Sequence, residues 1–316
     1  MHRRQFLQQS ALLTTAAPLS FSLADTVPTS ARQFTMSLDP GAIGVEAGQE
    51  QLIDWAAEYQ FEAVAPYPSF LAEQEPSVLA NLQTTLRDKG LVWGVAGLPV
   101  EFRKDEATFK NDLAKLPTLA DALQRAGSTR ISTWIMPNHA ELNYLKNFQL
   151  HASRLREVSK VLQDYGLRLG LEYVGTKTLR DAKRFAFIST REETQALIAE
   201  MNQPGVGLVL DSFHWYTSGE GVDDILTLTN QDVVACDLND ARAGRTREAQ
   251  IDGERELPLT SGAIPVKEFL EALVTIGFDG PVRAEPFNQV LNDMDDQQAV
   301  ATTAASMKQA FALVSE

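Results

Sequence analysis

The chain has 316 residues, with 28 Lys+Arg against 42 Asp+Glu, a formal net charge of -14 and 44% hydrophobic residues. That apolar share is ordinary for a folded globular protein and excludes a disordered or collagen-like chain. The acidic balance speaks against nucleic acid, anionic membrane surfaces and anionic substrates, and a single cysteine, Cys236, leaves no internal disulfide and no cysteine-rich zinc site.

The chain opens with Arg3 and Arg4, then Phe6 and Leu7, then a short apolar stretch over residues 11–23. Ser22-Leu23-Ala24 follows as a small-x-small cleavage site. Positive start, short apolar middle and small-residue end describe an export signal, and Arg-Arg-x-Phe-Leu resembles the twin-arginine signal, which exports proteins already folded. Residues 1–24 are therefore expected to be a cleaved leader and residues 25–316 the mature domain, periplasmic or otherwise exported. Loss of the two leader arginines moves the formal charge from -14 to -16. Nothing else in the sequence reads as a membrane segment, so the mature form is expected to have none.

From about Gln33 onward, short apolar runs alternate with amphipathic stretches. Strands are expected at residues 34–38, 62–65, 91–96, 130–136, 168–174, 205–210, 233–238 and 282–286. Most are apolar almost throughout, as strands covered on both faces are. Helices are expected between them at residues 50–59, 77–89, 106–126, 144–165, 191–201, 221–229, 266–276 and 295–314. Gly90, Gly127, Gly166 and Gly277 fall just after helices, where a left-handed cap is expected. Eight strand-then-helix units fit a single (β/α)8 TIM barrel. The alternative, a doubly wound open sheet, lacks a dinucleotide fingerprint: Asp39-Pro40-Gly41-Ala42-Ile43-Gly44 follows the first strand. The longest irregular stretch is residues 240–265, and a loop of that length in a compact domain is usually functional.

In a barrel of this kind, chemistry sits where strands end. Four consecutive strands carry an acid at or near that end: Glu172, Asp211, Asp237 and Glu285. A lone strand-end acid is ordinarily a salt-bridge partner or a cap, and Asp211 could cap the turn that follows it. Four in register are another matter, since like charges brought together need a cation. Oxygen donors favour a hard divalent ion such as Mn²⁺ or Mg²⁺. His214 lies three residues beyond Asp211 and is expected to contact a substrate oxygen. Trp134, ending the fourth strand, is expected to wall the pocket. Asn138 and His139 in the next loop and Arg242 in the long loop are further candidates for substrate contact. His151, on a helix, and Lys177 read as structural and surface residues. There is no G-x-S-x-G elbow, P-loop or H-E-x-x-H motif.

The segments Gly170-Leu171-Glu172-Tyr173, Leu210-Asp211-Ser212-Phe213-His214, Leu238-Asn239-Asp240-Ala241 and Gly280-Pro281-Val282-Arg283-Ala284-Glu285-Pro286-Phe287 resemble the xylose isomerase-like TIM barrels. That superfamily includes sugar phosphate isomerases and epimerases, the D-tagatose 3-epimerase-like enzymes and an AP-endonuclease branch. The resemblance covers residue 34 to the C-terminus and is strongest after residue 168. It implies one divalent metal, usually Mn²⁺ with Mg²⁺ or Co²⁺ as substitutes, held by Glu, Asp, His and Glu. By position these are Glu172, Asp211, residue 237 and Glu285. Residue 237 departs from the pattern, being Asp where many members carry His. An all-carboxylate site, a shift of ligand to Asp240, or loss of the metal would each follow from that. The resemblance further implies that Glu172 and Glu285 act as catalytic bases on a small-molecule carbohydrate through an enediolate. Isomerisation or epimerisation of a neutral sugar or keto-sugar is expected. A 3-keto-glycoside lyase and a non-catalytic sugar-binding protein are the alternatives. The endonuclease branch fits poorly, because the mature chain is acidic and holds only His139, His151 and His214. The sequence leaves a homo-oligomer open.

Overall fold

A computed structural model describes residues 31–314. The expected leader and its boundary at residue 24 lie outside the described residues. The barrel strands are β1 Thr35–Leu38, β2 Ala63–Val64, β3 in two pieces (Val92–Trp93 and Ala96–Gly97), β4 Arg130–Ile135, β5 Arg168–Tyr173, β6 Val206–Asp211, β7 Val233–Asp237 and β8 Pro281–Arg283. Every ladder in this sheet is parallel, and β8 pairs with β1. The first piece of β3 pairs with β2 and the second with β4, so the interrupted strand closes the barrel. The break falls at Gly94, where a Cβ would collide with the Ser37 hydroxyl from β1. Next to it, Val95 joins Val209 and Ala235 in a small inner cluster.

The main helices are α1 Gln49–Glu58, α2 Pro76–Asp88, α3 Glu106–Ala126, α4 Tyr144–Asp164, α5 Arg191–Met201, α6 Val222–Leu226, α7 Val266–Thr275 and α8 Asp296–Ala312. Their starts are set locally. Asp105, Asn143, Thr190 and Asp295 each accept a backbone N–H of the first turn, a cap worth about 1 kcal/mol. Gly90, Gly127, Gly166 and Gly277 all have positive φ at the helix ends where they were expected. No helix among the described residues is long and apolar enough to cross a membrane.

Among the short pieces that escape the periodicity, three lie near the strand ends of β4 and β6. Ser212–Ser218 forms a helix directly on the end of β6. Asn138–His139 and Phe185–Ala186 pair antiparallel as a two-stranded ribbon beyond β4. Register then sets the site. Asp211, Asp237 and Arg283 are partners across β6, β7 and β8, while Trp134 on β4 is the partner of Glu172 on β5.

Candidate metal centre

The four acids converge. One carboxylate oxygen each from Glu172, Asp211, Asp237 and Glu285 lies within 4.8 Å of the others, and Glu172, Asp211 and His214 form an overlapping group. Asp211 is both a cap and a member: its Oδ1 accepts the N–H of Phe213 at 2.6 Å and of His214 at 3.2 Å. Its Oδ2 accepts from Asn239 Nδ2 at 3.0 Å. That cap fixes the helix on which His214 sits. His214 Nδ1 accepts the N–H of Gly175 at 3.3 Å, and its Nε2 lies 3.1 Å from Arg255 Nη2, 3.5 Å from Glu172 Oε1 and 3.6 Å from Asp252 Oδ1. Burial, with Arg255 adding, lowers the pKa of His214 against the opposing pull of Asp211 and Asp252.

Two arginines not assigned a role from the sequence stand inside this cluster. Arg283 precedes Glu285 by two residues. It grips Asp237 through Nε–Oδ1 at 2.6 Å and Nη2–Oδ2 at 3.1 Å, and reaches Asp39 and Glu285. Arg255 comes from the long loop. Its Nη1 donates to Asp211 Oδ2 at 2.8 Å and Glu285 Oε2 at 3.2 Å, and its Nη2 to Asp252 Oδ1 at 2.8 Å. The Arg255 guanidinium lies 4.9 Å from the Phe213 ring centroid and 4.7 Å from that of Phe287. Phe287 holds a left-handed φ of 42°, an uncommon backbone for an aromatic residue. Asn239 completes the frame, its Oδ1 accepting the Glu285 N–H at 2.7 Å.

The charges do not balance. Two guanidiniums meet four carboxylates, so with all four ionised at least two negative charges go uncompensated. Burial, then the carboxylates of Glu285, Asp237 and Asp211, push Glu172 well above the usual range. Burial and then Asp237 push Glu285 up to about 8. Burial also raises Asp237 in spite of Arg283. Glu172 Oε1 is buried and accepts no hydrogen bond. An oxygen donor set, an orphaned carboxylate oxygen and a deficit of positive charge fit a divalent cation. The buried group of Glu172, Asp211, His214 and Glu285 is consistent with a divalent metal site.

Asp237 belongs to the cluster, but both its oxygens are held by Arg283. Asp240 is not an alternative ligand: its carboxylate accepts the N–H groups of Ala241, Ser261, Gly262 and Ile264 and so ties down the base of the long loop. Arg242 does not come to the cluster either. It pairs with Glu254 and Glu256, because its own loop supplies acids nearer than the barrel mouth does. His139 Nδ1 accepts the N–H of Glu141 and Leu142 and shapes a turn. Trp134 is 39% exposed at the mouth, with the Arg103 guanidinium 4.5 Å from its ring centroid. Asn138 is buried beside it in the ribbon. Lys177 is a surface residue paired with Asp181, and Cys236 is a fully buried thiol.

A closed (β/α)8 barrel with strand-end acids gathered at one spot defines a TIM barrel of the metal-site type. A family model described as the xylose isomerase-like TIM barrel matches residues 53–310, and the chain belongs to that family. The inosose isomerase of Bacillus subtilis (strain 168) is 28% identical over 152 residues, 47% of this chain and 50% of that protein. The chain thus spans half the length of this relative. The inosose isomerase of Bacillus velezensis is 23% identical over 241 residues, 74% of this chain and 80% of that protein. Among solved structures, a xylose isomerase domain protein from Alicyclobacillus acidocaldarius superposes with a TM-score of 0.78 at 30% identity, covering 90% of this chain and all of that one. The IOLI protein with a binding zinc atom gives 0.72 at 17% identity over 88% of this chain and 98% of that one, a likeness of fold alone.

Proposed function

We propose that the protein is a divalent-metal-dependent sugar isomerase or epimerase acting on a neutral carbohydrate or keto-sugar. One observation carries this reading: two glutamates, the buried Glu172 and the half-buried Glu285, meet in one cluster with their proton affinities raised. Paired carboxylates of that kind can hold and move a proton at carbon. Glu172, Asp211 and Glu285 would hold the cation, with Asp237 kept beside them by Arg283. When bound, the cation would supply Lewis acidity toward neighbouring substrate oxygens. Mn²⁺ is our assignment on the oxygen donors, with Mg²⁺ or Co²⁺ as substitutes; the zinc in the IOLI protein belongs to that protein.

In this reading one glutamate removes the proton next to the carbonyl, and the resulting enediolate is reprotonated by the other. Return to the same carbon from the opposite face gives the epimer, and return to the neighbouring carbon gives the isomer. His214 contacts a substrate oxygen, and Trp134 walls the mouth. Sequence supports two further parts: residues 1–24 as a cleaved twin-arginine leader, and an exported mature domain over residues 25–316. Incubation with neutral keto-sugars in D₂O, followed by NMR, tests the reaction, and deuterium at the carbon beside the carbonyl is expected. Absence of exchange with every sugar in the presence of Mn²⁺, Mg²⁺ and Co²⁺ overturns it.

A second reading, a non-catalytic carbohydrate-binding protein, is favoured by the grip of Arg255 and Arg283 on Asp211, Asp237 and Glu285. Metal analysis of the purified protein separates the two: stoichiometric metal supports the enzyme, and none at saturating supply supports the binder.

A further inference from the structure

At the end of β4 a cavity of about 280 Å³ is lined by Trp134, Asn138, Asn147 and His151 among others. Three buried atoms of this lining lack any hydrogen-bond partner: Asn138 Oδ1, Asn147 Oδ1 and His151 Nε2. All three are acceptors, and those of Asn138 and His151 are fixed as such. Asn138 Nδ2 donates to the Leu179 carbonyl at 2.5 Å, which turns its oxygen away from that bond. His151 Nδ1 lies 2.9 Å from the Asn147 carbonyl, which can only accept, so Nδ1 carries the proton and Nε2 is bare. Burial lowers the His151 pKa to about 4, so Nε2 stays unprotonated at neutral pH. Asn147 and His151 stand four apart on α4 and share one face.

Orphaned buried acceptors cost free energy unless something donates to them. The charge around them selects the donor. Arg103, Lys104 and Lys183 line the same cavity against the single acid Glu101, which disfavours an ammonium group. Acceptors in the depth disfavour an anion. A neutral molecule rich in hydroxyl groups remains. The volume lies just below the roughly 300–1,000 Å³ of small-molecule sites, room for one ring rather than a chain. Trp134 belongs both to this lining and, by register, to the strand position next to Glu172.

We propose that this cavity is a second carbohydrate subsite, and that the substrate is a glycoside or disaccharide whose second ring donates hydroxyls to Asn138, Asn147 and His151. The inference rests on the reading of the carboxylate cluster as a sugar site and names the substrate class. It also gives His151 a ligand in place of the structural role its helix position suggested.

The test is calorimetric titration of the purified protein with D-fructose and with turanose, lactulose and isomaltulose, which attach a second ring to fructose at different hydroxyls. At least one disaccharide should bind about tenfold tighter than D-fructose, the equivalent of one or two added hydrogen bonds. In His151→Phe and Asn147→Leu the ratio of disaccharide to D-fructose affinity should fall to about one. Folding of His151→Phe is checked by its melting temperature, which should stay near the wild-type value, because the ring keeps its packing against Phe102 and Phe187 and loss of the unpaired Nε2 offsets loss of the Nδ1 bond to the Asn147 carbonyl. Equal affinity for D-fructose and all three disaccharides in the wild type, as expected of a cavity that holds only water, overturns the subsite. So does a gain that survives both substitutions. Failure of the isomerase reading looks different: the disaccharide preference persists while no sugar exchanges deuterium.

Discussion

At the scale of single residues, the cluster is a balance between repulsion and two internal cations. Replacing Glu172 or Glu285 by Gln removes a base at constant volume, and the deuterium-exchange rate should fall about 10²–10⁴-fold. In the metal-free protein Glu172→Gln should raise the melting temperature, since it removes a buried carboxylate that accepts no hydrogen bond through Oε1. A lowered melting temperature with an unchanged rate would place the chemistry elsewhere. Arg283→Met strips the buried Asp237 of its bidentate partner. Breaking such a pair costs about 3–5 kcal/mol, to be read by urea unfolding, and Arg283→Met combined with Asp237→Leu should recover most of it. All four acids were legible from strand ends alone. Arg283 was missed, although its signal was present: two residues before Glu285, it faces the same side of its strand by alternation, and it supplies part of the positive charge that the acids require. Arg255 and Asp252 were not legible, because they sit in a loop without periodicity and reach the cluster only through its fold.

At the scale of elements, the eight strands and the main helices followed from apolar runs, amphipathic spacing and glycine caps. What periodicity could not supply were segments of two to seven residues, such as the ribbon beyond β4 and the helix Ser212–Ser218. Short segments show too little of a repeat to be told from loop, and this helix is made by the Asp211 cap and by packing. Gly175, after β5, gives it room: a Cβ there would meet the His214 carbonyl, and the Ser218 nitrogen and Thr217 hydroxyl at 2.9 Å. Gly175→Ala should therefore displace the helix, with a loss of about 1–3 kcal/mol from overpacking. Because Asp211, which would hold the cation, caps that helix, Mn²⁺ affinity measured by calorimetry should fall as well. A variant with wild-type stability and affinity would show that the helix is not held by this contact.

At the scale of the whole molecule, charge sets two expectations. With an acidic surface and no phosphate cradle, a phosphorylated keto-sugar should show a higher KM than its neutral parent, and a requirement for the phosphate ester would exclude the neutral-sugar reading. Stability should also depend on pH. Glu285 has its ordinary pKa of 4.5 in the unfolded chain and about 8 in the fold. The folded state then binds the proton more tightly, so this contribution is full below 4.5 and is lost as pH rises through about 8. In EDTA the melting temperature should decline across that window. Mn²⁺ should restore most at its upper end, where protons no longer compete for the carboxylates; an unchanged profile on adding metal would mean that none binds here. The closure of the barrel has a further consequence. Arg130 to Ile135 pairs residue for residue with Arg168 to Tyr173; the ladders flanking the third strand hold two residue pairs each, as do those of β1 with β2 and β7 with β8, but the third strand alone is also interrupted within its length. Amides around Gly94 and Val95 should exchange with solvent earliest among the strands, through openings that leave the long ladders intact. The molecule would breathe at a seam on the far side from its acids, so the half that holds the chemistry need not share in that motion.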